Sequence, residues 1–365
     1  RTDRATVIAN MLADLDEVIN GNYLPTSYDA DNKGRITRWA AMAIKAKIYL
    51  FEGNWTQVKN ITSTIMTEGG FKLFESYAGL FEIANEYNSE VILDAQYRPT
   101  SREHQMMYVF LPPTLGGYSQ LSPLQELVDS YIMLDGKTIK ETGTSFDESH
   151  PYANRDPRLK ATVMYTGNSY TLADGTEVVI NCEKGEGKDG YGVGSDCSAT
   201  GYYIKKYWDN TYRATLYSGL NPILIRYADI LLMNAEALAE LGELDKTAWD
   251  ATIKPIRARA GFTLASAVEF PEGASKDKLI EIVRNERRSE LALEGHRHKD
   301  IIRWRIADNV LNGWCHGLKT NDVVGTDDGY VRVENRTFNA NRHYLWPIPQ
   351  AERDLNGNLV QNPNW

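Results

Sequence analysis

One spaced pattern, written twice and far apart, restricts this chain more than any other feature: a small residue, a bulky one three positions on, and a glycine four after that. Ala46, Tyr49 and Gly53 carry it once, and Ala235, Leu238 and Gly242 carry it again. Residues three and four apart share a helical face, and glycine ends helices in left-handed backbone. Each copy therefore predicts a helix that stops at its glycine and turns back on a second one. Ala41, Ala43 and Ala46 let the first helix approach a neighbour closely, and after Asn54 and Trp55 a new apolar series runs through Val58, Ile61, Ile65 and Met66. The return helix of the other copy carries Trp249, Ile253 and Ile256. A third hairpin is expected from Leu279 to Glu294, turning at Gly295 into Ile301, Ile302 and Trp304. Ahead of them all, Val7, Ile8, Met11, Leu12, Leu15, Val18 and Ile19 form one apolar stripe at helical spacing.

The spacing is similar to that of the tetratricopeptide repeat, whose units stack because none buries its apolar face alone. Here the units are interrupted. The fold class expected is mostly α: degenerate tetratricopeptide-like hairpins stacked as an α-α superhelix, with a large loop-rich insertion containing short strands. The helical scaffold takes about 1–73 and 221–311, the insertion about 74–220 and a tail 312–365. Within the insertion Glu90 to Tyr97, Thr162 to Tyr165 and Thr176 to Asn181 read as strands separated by Gly, Pro, Asn and Asp.

Charge and motifs exclude several functions. Lys and Arg number 40 against 49 Asp and Glu, a net charge of −9, which leaves no cationic surplus for nucleic-acid phosphates. Gly185 to Gly190 spells GxGxxG, but the sequence continues Tyr-Gly-Val-Gly-Ser-Asp-Cys where a dinucleotide fold needs a helix, so a loop is expected. Glu183, Glu186, Asp189 and Asp196 in that loop match no calcium-binding spacing and read as solvated. Cys182 and Cys197 flank the loop, where a bridge would add roughly 3 kcal/mol in an oxidising compartment, and Cys315 is left over. Of the histidines only His296 and His298 are close, and on a helix they face different ways, so no metal site is expected. Nothing singles out a catalytic pair among the carboxylates, and no cofactor motif remains. The arginines from Arg284 to Arg305 alternate with Glu281, Glu286, Glu290 and Glu294, which predicts a helix face neutralised by its own ion pairs.

Several phrases, in order, resemble the SusD/RagB family, outer-membrane lipoproteins of Bacteroidetes that bind glycans or, in some members, peptides. They are Leu121 to Tyr131 followed by Asp135 and Gly136, Asn154 to Leu159, Gly201 to Tyr207 and Ile225 to Ala237. The ending is the most specific: Glu286 to Arg297, Tyr344 to Glu352 and Gln361 to Trp365. The resemblance covers nearly the whole chain and implies one SusD-like domain without the family's usual opening part. It implies a cell-surface location at the outer membrane, reached through an N-terminal lipid anchor not present in this chain. Helices of that opening part are expected to pack on Val7, Met11 and Leu15. The Trp346-Pro-Ile-Pro segment reads as a tail clamp in which Trp346 and Ile348 fill the core.

Tyr and Trp, 21 and 8 of them, outnumber 9 Phe, and many lie in the insertion. Sugar rings offer an apolar C–H face edged by hydroxyls, so flat aromatic groups with polar neighbours suit them. The stretch from Tyr97 to Tyr118 has rings, amides and an imidazole without a helix or strand period. Its candidates are His104, Gln105, Tyr108 and Tyr118, and Trp208 and Tyr212 offer a second lip. In the resembling family, aromatic residues of this region help form the glycan site. The function implied is non-catalytic capture of an oligosaccharide and delivery to a SusC-like TonB-dependent transporter. The alternatives are peptide capture within the same family, or a tetratricopeptide-like interaction scaffold without a small ligand.

Overall fold

The structure is a computed structural model that describes residues 2–212 and 215–365, the Tyr212 side chain excepted. Helix α1 (Arg4–Asn20) packs on α2 (Arg38–Glu52), and α3 (Trp55–Glu68) returns along it. Gly53 closes α2 at φ 69°, and the Asn54 side chain accepts the Gln57 N–H at 3.3 Å to open α3. That is the sequence pattern in physical form: a left-handed stop followed at once by an N-cap. Leu15, Val18 and Ile19 of α1 pack with the α2 and α3 core, whereas Val7 and Met11 are exposed. Leu15, expected to await a partner, is thus covered by the chain's own helices.

The insertion holds β1 (Val91–Asp94), α4 (Met106–Phe110), α5 (Gln125–Val128), α6 (Pro157–Thr162), β2 (Val163–Met164), β3 (Ser169–Thr171), β4 (Glu177–Val179) and β5 (Tyr203–Ile204). Then β6 (Ile223–Arg226) pairs antiparallel with β1 and leads straight into α7 (Tyr227–Leu241), the central helix, which touches both α3 and α11. The remaining helices are α8 (Lys246–Ala251), α9 (Ile253–Ala260), α10 (Ala265–Val268), α11 (Lys276–Glu290), α12 (Arg297–Arg303) and α13 (Ala307–Val310). Gly242 ends α7 at φ 75°. The return helix after it is broken into α8 and α9 at Thr252, because the Pro255 ring would meet the Ala251 carbonyl four residues back. A sheet of β7 (Gly313–Lys319), β8 (Thr326–Asp327) and β9 (Tyr330–Arg336), ordered β7-β9-β8, precedes α14 (Gln350–Leu355).

The largest apolar cluster lies mostly within the insertion and two others mostly within the helical scaffold, Ile132 packs with Ala260 and Phe262 across the boundary, and a buried set of charges joins the two parts. The Arg158 guanidinium meets Asp156, Glu286 and Glu290 at 2.7, 2.7 and 2.8 Å. Arg226 meets Glu90, Glu290 and Glu294 at 2.7, 2.6 and 2.7 Å. Arg259 reaches Glu90 and Glu290, Arg257 reaches Glu286, and Lys206 reaches Glu294 at 2.7 Å. This corrects the expected self-neutralised helix face. Glu286 and Glu290 stand four residues apart on one face of α11, Glu294 follows in the turn past its end, and the side chains of all three are buried, with cations supplied by α6, β5–β6 and α9.

One other expectation changes. Trp346 is 77 % exposed and fills no core. The tail instead closes on itself through polar groups: Gln361 bonds both the N–H and the carbonyl of Ile348, Asn362 donates to the Trp346 carbonyl, and Trp365 donates to the Leu345 carbonyl under the Arg342 guanidinium. Those bonds hold the backbone and leave the indole outward. Cys182 and Cys197 are unbridged; Cys182 is buried, and the Cys197 thiol donates to the Lys188 carbonyl at 3.3 Å. No helix among the described residues is long and apolar enough to cross a membrane.

Candidate functional site

Two glycines build the centre of the site. Gly116 turns the chain at φ 86°, and a Cβ on Gly117 would lie 2.1 Å from the Leu111 carbonyl oxygen. Only a residue without a side chain lets the strand fold back so tightly, after which the Tyr118 N–H donates to the Tyr108 carbonyl at 3.0 Å. The two rings therefore meet, with centroids 4.3 Å apart and planes 32° from parallel. Tyr118 is 40 % exposed, and Tyr108 shows part of its surface. Tyr217, 41 % exposed, stands beside them and is bonded to the Gln105 side-chain amide. Donating its proton to the Tyr118 hydroxyl, with desolvation and the nearness of Asp196 and Tyr217 added, raises the Tyr108 phenol above its ordinary value.

The Gly-rich loop borders this surface. Asp189 pins it by accepting the Thr114 backbone N–H at 2.8 Å and its hydroxyl at 2.5 Å, and Tyr203 donates to the Asp189 carbonyl. On its other side Glu183, Lys184 and Glu186 line a cleft of about 1170 Å³. Tyr152 and Tyr165 stack in its wall at 4.0 Å and 18°, with Tyr202 and Tyr330 nearby. Cations of the cleft are engaged: Lys319 pairs with Glu148, Lys184 with Asp322, and Arg155 donates to the Val128, Tyr131 and Pro151 carbonyls.

The remaining candidates lie elsewhere. His104 sits under the surface, its Nε2 2.9 Å from the Leu220 carbonyl, its backbone bridged to Ser218 and its ring edge-on to Tyr97. Gln105 is exposed. Trp208 donates from Nε1 to the Thr171 carbonyl at 2.9 Å and packs edge-on against Tyr170, lining a separate hollow of about 270 Å³ with Glu82, Ile83 and Asn210. Its sequence neighbours Lys206 and Tyr207 are buried and offer no lip. The Tyr212 side chain, and Arg213 beyond it, lie outside the described residues. Sequence reasoning passed over Tyr217 and Tyr152. Their signal was the same aromatic enrichment without period, but only the pairing of Ser218 with His104 brings Tyr217 to the site.

Among the described residues no group of three or more His, Cys, Asp or Glu is arranged to hold a metal ion. What the surface offers is ring faces, phenol hydroxyls and an amide on backbone fixed by glycine turns. That suits the binding of a hydroxyl-rich ligand by stacking and hydrogen bonds.

Comparison with known proteins agrees with the architecture. SusD-like protein P25 of Formosa agariphila is 28 % identical over 99 % of this chain, and the chain spans 64 % of that relative's length. A solved SusD-like carbohydrate binding protein of Bacteroides fragilis superposes with a TM-score of 0.85 at 29 % identity, covering 98 % of this chain and 72 % of that one. A second SusD-like protein of the same organism gives 0.82 at 28 %, over 100 % of this chain and 72 % of the other. The model of the SusD family matches residues 79–365. With hairpins, insertion and terminal phrases all in the family's order, the chain belongs to the SusD family.

Proposed function

We propose that this chain is a non-catalytic glycan-binding protein of the outer-membrane surface, and that an oligosaccharide lies across Tyr108 and Tyr118 with Tyr217 and Gln105 at its edge. The observation that carries this reading is the open tyrosine pair, two tilted rings brought together by the turn at Gly116 and Gly117. Rings fixed by backbone lose little freedom on binding, which leaves more of the stacking energy for the ligand. The Bacteroides fragilis relative is described as a carbohydrate binding protein, which supports the same ligand class here. Delivery to a SusC-like TonB-dependent transporter and a lipid-anchored location are part of the proposal, and family membership supports them.

Isothermal calorimetry with a panel of neutral oligosaccharides tests it, with reducing-end assays of the same mixtures. Saturable binding without new reducing ends, weakened in Tyr118→Ala, is expected. Binding of peptides but of no glycan would overturn the ligand class, and released sugar products would overturn the non-catalytic reading.

A further inference from the structure

Apart from the tyrosine pair, α5, the end of α11, α12 and β7 enclose a further cavity of about 310 Å³. Its walls are apolar, with Leu127, Leu291, Leu293, Ile301, Leu311 and Trp314 among them, and Arg288 and Arg297 stand at its rim. These two arginines differ from their neighbours. Arg284 holds Glu240 at 2.9 Å, Arg287 holds Asp229 and Asp300 at 2.6 and 2.8 Å, and Arg303 holds Glu236 at 2.6 Å. No carboxylate of the described residues lies within ion-pair distance of Arg288 or Arg297. Arg288 donates only to the Glu126 backbone carbonyl, and Arg297 lies 5.9 Å from the Trp304 ring without a hydrogen bond.

The acids that face them are already used. Glu126 accepts from His316 at 2.8 Å, Asp300 is shared by Arg287 and Arg303, Asp129 accepts from Gln125 at 2.7 Å, and the rim's Arg336 has Glu334 at 3.0 Å. Both guanidiniums are half-buried. Burial, with the like charge of Arg297 added, pushes Arg288 down to about 10. Two half-buried cations without an ion-pair partner, beside a mostly apolar pocket, leave a place for an anion.

We propose that this cavity binds a small carboxylate carrying an apolar chain, the chain among the leucines and Trp314 and the carboxylate between Arg288 and Arg297. The planar guanidinium fork matches a carboxylate in a way that no apolar wall can, and the walls reward a chain that a sugar does not have. Charge complementarity chooses the headgroup and the lining chooses the tail. The site shares no residue with the glycan surface, so the two readings stand or fall separately.

Calorimetry with octanoate, octanol and inorganic phosphate on the intact chain decides it. Octanoate is expected to bind with one site, more tightly than either octanol or phosphate. Arg297→Met, which breaks no hydrogen bond, is expected to weaken octanoate by about tenfold or more while leaving octanol unchanged. Leu311→Trp, filling the cavity, should abolish octanoate binding in a protein whose oligosaccharide binding is intact. Equal affinity for octanoate and octanol, phosphate binding as tight as octanoate, or an Arg297→Met protein indistinguishable from the parent would overturn the proposal.

Discussion

Gly117 has no room for a side chain, and the site depends on it more than on any ring. Gly117→Ala puts a methyl against the Leu111 carbonyl, a clash with backbone that no rotamer relieves. A cost of about 1–3 kcal/mol is expected, with the loss of the Tyr108–Tyr118 pairing. Thermal melts and calorimetry together check it: ligand binding should fall further than stability does. Tyr118→Ala, by contrast, should leave the melting temperature nearly unchanged and weaken an oligosaccharide by about 1 kcal/mol, roughly fivefold. At this scale the sequence was partly legible. Gly116-Gly117 reads as a turn and Tyr108 and Tyr118 as an aromatic cluster, but nothing in the spacing says that the turn lays one ring on the other. His104 shows the opposite case. An imidazole beside an amide reads as ligand chemistry, yet its Nε2 is taken by the Leu220 carbonyl, a partner 116 residues away.

Elements were legible where a backbone constraint marked their ends. Gly53 and Gly242 stop their helices as their positions require, whereas the break between α8 and α9 was missed although Pro255 announces it. The charged face of α11 was misread for a reason that can be stated. Glu286 and Glu290 lie on one side of the helix with Glu294 just past its end, and like charges at that spacing repel one another on an exposed surface. Their repetition points inward, to cations supplied by other elements. Removing one exposes the dependence: Glu290→Gln leaves Arg158, Arg226 and Arg259 undercompensated in the interior. Breaking a buried pair from one side costs about 3–5 kcal/mol, which chemical denaturation measures as a lowered midpoint at unchanged slope. A loss under 1 kcal/mol would show the network to be dispensable.

For the whole molecule, the buried groups set how stability follows pH. Burial, only partly offset by Asp229, lowers the His296 imidazole to about 4. The unfolded chain therefore takes up a proton near 6.5 that the folded one refuses, and stability falls as pH drops from about 6.5 to 4. Burial pushes Glu294 upward, but the attraction of Arg226 and Lys206 outweighs it and holds the carboxyl down to about 2. Its contribution is complete above the usual carboxylate range and is lost between about pH 4.5 and 2. Melts from pH 7 to 3 should decline in both windows, and His296→Gln should flatten the upper one alone. Scaffold, insertion and tail were visible as changes of sequence character, but which loops meet was not, because Thr114 with Asp189 and His104 with Ser218 are long-range pairings without a local signature. Glu290 answers to three arginines from three separate stretches, so a single codon change at any of the four strands a charge. These positions are expected to vary together or stay as they are. The tyrosine-bearing loops carry no such charge network, and so one inherited frame is free to change the rings it displays.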